Sequence, residues 1–316
     1  MKNNLPPQFS NRLYGQYSPL IIDEIIKGFS GNKSPIIRIN TLKTNVRDIM
    51  NYLKGLNVNF QRISFLPNSL IITNRDERFF ENLDIYKNGQ IYFQGISSHL
   101  PVLFLDPKPN EKILDLCAAP GSKTTQMGIL MENKGFILAN EINEVRMQRL
   151  KYNLEKQGIT ICETLLNDGN LLEEKYNEYF DKVLIDAPCT AEGRINLKDK
   201  RSFGFWDEKK IRKHAKLQKR LVEKGLNLLK KGGTLIYSTC TLSPEENEMV
   251  VDFILEKYVG QLEIEKINLD FKYKLPILSS FNEKQINPKV AYCLKAMPSQ
   301  ISEGFFIAKF RKRIGS

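Results

Sequence analysis

The sequence predicts an α/β protein: a mostly parallel sheet with helices on both faces, preceded by a small α+β module. Three observations predict it. From residue 111 onward, short apolar runs alternate with longer amphipathic stretches, the rhythm of βαβ units in a parallel sheet. The first of those runs leads into a small-residue, glycine-bearing loop, "CAAPGSKT" at 117–124, as expected where a strand turns into a helix beneath a ligand. Residues before 106 lack the alternation and mix short helices with short strands.

In chain order, "SPLIIDEIIKGF" (18–29) reads as an amphipathic helix and "PIIRIN" (35–40) as a strand. A helix follows in "VRDIMNYLKGL" (46–56), then strands in "VNFQRI" (58–63) and "SLIIT" (69–73). "DPKPNE" (106–111) is a proline-bearing linker. The expected division is therefore an N-terminal module over 1–108 and a larger domain over 109–316.

In the larger domain, "KILDL" (112–116) is a first buried strand, followed by a helix near 122–131, and "GFILAN" (135–140) is a second strand. The next helix covers 143–158, with Val145, Arg146, Arg149, Leu150 and Leu154 at helical spacing and Gly158 as its stop. "ICETLL" (161–166) and "FDKVLID" (180–186) are the third and fourth strands. Ile211, Ala215, Val222, Leu226 and Leu229 recur every third or fourth position in a long helix over 207–230. "GTLIYST" (233–239) is the fifth strand. A helix is expected from 243 to 258, with Ser243 as cap, Pro244 in its first turn and Glu245 and Glu246 matched to its dipole. Residues 267–303 are less regular, and "GFFIAKFRK" (304–312) is a last strand.

Composition narrows the function. The 316 residues carry 47 Lys and Arg against 36 Asp and Glu, a formal charge of +11, which favours a polyanionic partner such as nucleic acid. No apolar run approaches the roughly 20 residues that span a bilayer, and the first residues do not read as a signal peptide. A cytoplasmic protein, monomeric and without membrane association, is expected. Five cysteines in such a setting do not suggest a disulfide framework. None has C-x-x-C spacing and only two histidines are present, so no metal site is expected.

Ligands of open α/β sheets bind outside the carboxyl ends of the strands. Asp115 closes the first strand, and Ala118, Ala119 and Gly121 let a ligand approach the backbone. Neither a P-loop nor G-x-G-x-x-G is present. Glu141 ends the second strand, where an acid commonly holds a ribose diol, and Asp168 follows the third, where an adenine edge would lie. Three acids at successive strand ends point to an adenosine-bearing cofactor.

"LDLCAAPGSKT" (114–124), "DAPCTAEGR" (186–194) and "YSTCTLSPEENE" (237–248) resemble the motifs of the RNA cytosine-C5 methyltransferases of the Nol1/Nop2/Sun, or RsmB/NOP, family. "RINTLKT" (38–44), the stretch 89–121 and "SEGFFIAKF" (302–310) resemble it too, so the likeness covers nearly the whole chain. The resemblance implies S-adenosyl-L-methionine as cofactor, a Rossmann-like methyltransferase fold with a seven-stranded sheet, and an RNA-recognition-like N-terminal module. It places the cofactor against Cys117, Ala118, Ala119, Pro120, Gly121, Ser122 and Lys123. It also gives Glu141 to the ribose, with Arg146 nearby, Asp168 to the adenine, and Asp186 to cofactor and base together. One departure stands out: Thr190-Ala191 replaces the family's usual Ser-Gly after the first of the two motif cysteines.

Those cysteines, Cys189 and Cys240, each follow a strand-like run. Carbon 5 of cytosine is a poor nucleophile until a thiolate adds to carbon 6, after which carbon 5 can take a methyl group. The fourth and fifth strands are neighbours in this kind of sheet, so both thiols would rise above one site. DNA cytosine methyltransferases attack with a Pro-Cys cysteine, which favours Cys189. The RNA family attacks with the Thr-Cys cysteine, here Cys240, and uses the Pro-Cys cysteine to release product. The family's order is followed, and a protonated Asp186 would assist by donating to the base. Two other readings are an RNA-binding protein without catalysis and a DNA methyltransferase using Cys189; the paired cysteines and the N-terminal module argue against them.

The stretch 198–220 carries ten Lys and Arg and is expected to contact RNA phosphates. Compact members of the family act on tRNA or small-subunit rRNA, and the sequence does not choose between them. Phe203, Phe205 and Trp206 are expected to pack against the sheet rather than stack on bases, and His214 to lie on the surface.

Overall fold

The structure, a computed structural model, describes residues 5–315. Two helices, α1 (Pro7–Tyr14) and α2 (Pro19–Ser30), come first. They lead into β1 (Ile36–Ile39), α3 (Val46–Gly55), β2 (Phe60–Ile63) and β3 (Leu66–Ile72). Then come α4 (Glu77–Glu81), α5 (Asp84–Lys87), β4 (Ile91–Phe93) and α6 (Ile96–Leu105). The four strands form an antiparallel sheet in the order β2-β3-β1-β4. Alternate burial of Ile37, Ile39, Leu70 and Ile72 against Ile49 and Leu53 of α3 gives this sheet its own small core.

The second sheet runs through β5 (Lys112–Asp115), α7 (Ser122–Leu130), β6 (Phe136–Glu141), α8 (Glu144–Gln157) and β7 (Cys162–Leu166). It continues with β8 (Phe180–Asp186), α9 (Glu208–Leu228), β9 (Leu229–Thr239) and α10 (Glu248–Lys257). The closing strands are β10 (Leu262–Ile264), the small hairpin β11 (Ser280–Phe281) and β12 (Lys284–Gln285), β13 (Leu294–Ala296) and β14 (Phe305–Lys312). The seven strands of the main path lie in the order β10-β14-β9-β8-β5-β6-β7, with β13 paired to β14 as an eighth. Pairing is parallel from β9 to β7 and antiparallel where β14 joins β9. This is the mostly parallel, Rossmann-like sheet that the sequence predicts. Leu114, Val183, Leu235 and Phe306 are fully buried within it, packed under Val222 and Leu226 of α9 and Val250 and Ile254 of α10.

Two expectations fail locally. Val145 is exposed, because α8 turns Met147, Leu150 and Leu154 to the sheet instead. The last long helix starts at Glu248, not Ser243. The side chains of Ser243 and Asn247 bond to Glu192 and to Thr239 and Thr241, so residues 243–247 fold as a turn pinned to the strand ends.

The small sheet is tied to the large one by buried polar contacts rather than by apolar packing alone. Arg38 of β1 donates to Gln94 Oε1 (2.5 Å), to the Ser122 carbonyl (2.7 Å) and to Thr125 Oγ1 (2.7 Å). Asn40 donates to the carbonyls of Gly89 and Gln157 (3.0 and 2.8 Å). Buried, and in the case of Arg38 charge-assisted, such bonds fix orientation as well as adding stability. Helix α6 lies on the large sheet, with Ile96, Leu100 and Leu105 in its core.

Candidate active site

Strands β8 and β9 pair in parallel with Asp186 opposite Ser238. Parallel neighbours lie about 4.8 Å apart, so the residues just beyond them emerge together. Cys189 follows β8 after Ala187 and Pro188, and Cys240 directly follows Thr239. Their sulfurs are 3.2 Å apart and share a hydrogen bond. That bond, together with burial, pushes the Cys189 thiol well above the ordinary value. Either sulfur can donate in this bond, so the two thiols form one hydrogen-bonded pair.

Two buried glutamates hold the cysteine loops in register. Glu246 accepts from the Thr190 amide (3.2 Å), from the Thr190 hydroxyl and from Gln218 Nε2 (2.8 Å). Burial lifts its carboxyl to about 7. Glu192 accepts from Trp206 Nε1 (2.8 Å), Thr241 Oγ1 (3.0 Å), Ser243 Oγ (3.0 Å) and the Leu242 amide (3.3 Å). A further bond runs from the Gly193 amide to the Cys240 carbonyl (2.9 Å). The departure at Thr190-Ala191 is absorbed here. Ala191 has φ +57°, a left-handed conformation that costs a non-glycine residue about 1 kcal/mol. The Thr190 hydroxyl, 2.8 Å from Thr241 Oγ1, links the two cysteine loops directly.

Lys123 reaches across from the start of α7. Its ammonium is 2.6 Å from Asp186 Oδ2 and 3.2 Å from Ser98 Oγ. Ser238 donates to the other Asp186 oxygen at 2.9 Å. Asp186 thus accepts from two protein donors, Lys123 and Ser238. Beneath them, burial raises Asp115 to about 7, with Thr124 donating to it at 2.7 Å.

These groups open into one cavity of 620 Å³, within the usual size of a small-molecule site. All of the cofactor residues named from the sequence line it except Gly121, and so do Cys189 and Cys240. Gly121 shapes the loop from below: it has φ +103°, and a Cβ there would meet Leu150 Cδ1 at 2.9 Å. Arg146 steadies the rim, with Nη2 2.5 Å from the Ala119 carbonyl and Nη1 3.2 Å from Glu141 Oε2.

The family model described as 16S rRNA methyltransferase RsmB/F matches residues 102–311. The chain belongs to the RsmB/F family. Among curated relatives, it is 40% identical over 282 residues to the tRNA (cytosine(49)-C(5))-methyltransferase of Pyrococcus abyssi, covering 88% of each chain. It is 35% identical over 278 residues to the ribosomal RNA small subunit methyltransferase F of Shewanella amazonensis, covering 87% of this chain and 57% of that one. The chain thus spans less than two thirds of that rRNA-named relative. A solved methyltransferase homologue from Pyrococcus horikoshii superposes with a TM-score of 0.79 at 31% identity, over 98% of this chain and 100% of the other.

RsmB/F membership makes the protein a methyltransferase whose cofactor is S-adenosylmethionine. The cavity fits that group on its own terms. Buried Asp115 Oδ1 and Asn140 Oδ1 have no hydrogen-bond partner among the described residues, leaving acceptors for a ligand's hydroxyl, amino or ammonium groups. Glu141, almost fully buried, ends β6 on the cavity wall. Asp168 lies beyond β7 and is steadied by the Asn170 amide (2.9 Å). Ile142 lines the cavity yet is 65% exposed, an apolar face that would cover an adenine ring. Sequence reading passed over Ile142, whose only signal was a large apolar residue directly after the strand-end acid. It also passed over Ser98, Arg194, Glu303 and Phe305, which line the cavity from distant segments. Among the described residues no group is placed to hold a metal ion, and no helix is long and apolar enough to cross a membrane.

Proposed function

We propose that the protein methylates carbon 5 of a cytosine in RNA, with Cys240 as nucleophile and Cys189 as the group that releases product. The observation that carries this reading is the pair of thiols 3.2 Å apart, at the ends of neighbouring parallel strands, inside the cofactor cavity. RNA cytosine-C5 methylation is also the activity named for the tRNA-modifying relative.

S-adenosylmethionine supplies the electrophilic methyl group. The Cys240 sulfur adds to carbon 6, and carbon 5 becomes nucleophilic. After methyl transfer the carbon 5 proton is lost to solvent and the Cys240 sulfur leaves carbon 6 as a thiolate, with Cys189, 3.2 Å from that sulfur, placed to assist its departure. Lys123 offers the N–H donor for the polar edge of the base, kept in place by Asp186. Asp186 itself, fixed by Lys123 and Ser238, lies between cofactor and base. Arg194, on the same wall and 3.4 Å from Glu303, adds positive charge beside the thiols. Glu141 and Arg146 take the ribose side, and Asp168 takes the adenine.

The substrate we favour is tRNA, because the tRNA-named relative is more similar to this chain than the rRNA-named one, at 40% against 35% identity. The N-terminal module over 1–108 supplies part of the RNA grip, and the enzyme acts as a cytoplasmic monomer. The test is incubation with methyl-labelled cofactor and in vitro transcribed tRNA or small-subunit rRNA, followed by nucleoside mass spectrometry. Labelled 5-methylcytidine should appear in tRNA. Cofactor binding without 5-methylcytidine in either RNA would overturn the reading.

A further inference from the structure

A second cavity, of 270 Å³, adjoins the first, and Cys189 lines both. Thr190, Glu192, Phe203, Trp206 and His214 line the second cavity as well. Most of the aromatic lining has structural work. Phe203 is buried, and Trp206 packs edge-to-face on Phe9 at 5.6 Å while donating to Glu192. Phe205 differs: it lines the cavity with its side chain 78% exposed. Nothing in the fold accounts for an aromatic ring held in water beside a catalytic thiol. The loop that carries it is fixed by the Lys210 ammonium on the Phe205 carbonyl (3.0 Å) and by Asp207, which caps α9.

His214, expected on the surface, is half-buried in the lining of this cavity, and its Nδ1 has no hydrogen-bond partner among the described residues. Burial lowers its pKa below the ordinary value, and a bond to the Pro188 backbone engages the ring, so a neutral imidazole there leaves Nδ1 as the open polar atom. An aromatic face with a polar edge group behind it is the equipment of a nucleobase site. A volume somewhat below the ~300 Å³ of the smaller ligand pockets suits one base.

An RNA strand whose cytosine has been turned out into the first cavity continues past Cys189 on one side. We propose that the second cavity takes the nucleobase adjoining the target cytosine, stacked on Phe205 with His214 toward its edge. The proposal rests on the RNA methylation reading above and adds a neighbouring-base subsite to it.

The experiment uses the full chain and an RNA oligonucleotide containing a cytosine that the enzyme methylates. The neighbour on the 5′ or the 3′ side is replaced by an abasic nucleotide. Removing the base on one side should raise KM about tenfold with little change in kcat, as loss of one stacked base does. Phe205→Ala, at an exposed position that leaves the fold intact, should cause the same rise on intact RNA and no further rise on the abasic RNA. Phe205→Tyr should restore the wild-type KM. The proposal is overturned if Phe205→Ala methylates intact RNA with wild-type KM, or if its loss and the abasic loss multiply. Failure of the wild-type protein to methylate any RNA would instead remove the parent reading.

Discussion

Glu246 carries the clearest consequence for a single side chain. Charged residues are read from sequence as solvated, and Glu246 reads as a first-turn acid of a helix. The structure buries it instead against Thr190 and Gln218, one residue from the backbone of Cys189. Its carboxyl rises from 4.5 to about 7, chiefly through burial. The folded chain therefore holds this proton at pH values where the unfolded chain has lost it. Stability should fall as pH rises from about 4.5 to about 7 and level off above, by up to ~3 kcal/mol from this group. Asp115, also lifted to about 7 by burial, acts with the same sign. Glu246→Gln keeps the neutral shape, so its urea midpoints at pH 5, 6, 7 and 8 should decline less than those of the wild type. Parallel declines would show that Glu246 titrates as an ordinary surface acid. Glu192 is the companion case: four donors converge on it, a role that no spacing in the sequence announces.

At the scale of elements, the parallel strands and α9 were legible because each buries a regular face. The strand-end residues Asp115, Glu141, Asp168 and Asp186 were legible for the same reason, since strand ends fix where a ligand lies. Less was legible where side chains displace backbone habit, as between Ser243 and Asn247, or where a segment arrives from far along the chain, as Phe305 and Glu303 do. Helix α9 has two faces: Ile211, Ala215 and Val222 are buried, while Arg212, Lys213, Lys216 and Arg220 are exposed. Upstream, Lys198 is held by Asn32 (2.6 Å), and Arg201 forms a two-pronged pair with Asp199 (2.9 and 3.0 Å). Besides exposed Lys200, the cationic face is therefore on the helix itself. Replacing Arg212, Lys213 and Lys216 with Ala should weaken RNA binding. It should also flatten the plot of log affinity against log salt, by roughly 0.7–0.9 for each phosphate no longer neutralised. An unchanged slope would move the phosphate grip elsewhere, with the N-terminal module as the next place to look.

Across the whole molecule, the N-terminal segment and the catalytic sheet are joined at the site. Arg12 of α1 pairs with Glu208 (3.1 Å) and Glu245 (2.6 Å), while Phe9 and Phe29 pack with Ile195, Phe203 and Leu242 of the cysteine loops. Arg38 and Asn40, both within the "RINTLKT" stretch, lock the small sheet onto the first turn of α7 and the end of α8. The sequence marked Arg38 and Asn40 as part of a strand and of a family-like stretch, but not as a bridge, because no periodicity connects the parts of the chain that they join. The N-terminal helices and small sheet are thus joined to the segments that carry the two thiols. The claim that Cys240 attacks and Cys189 releases is tested most directly on a denaturing gel, with each Cys→Ala variant incubated with substrate RNA and S-adenosylmethionine. Cys189→Ala should trap a slow-migrating covalent RNA adduct, and Cys240→Ala, folded and cofactor-bound, should show none. An adduct with Cys240→Ala and none with Cys189→Ala would contradict the account and make Cys189 the nucleophile.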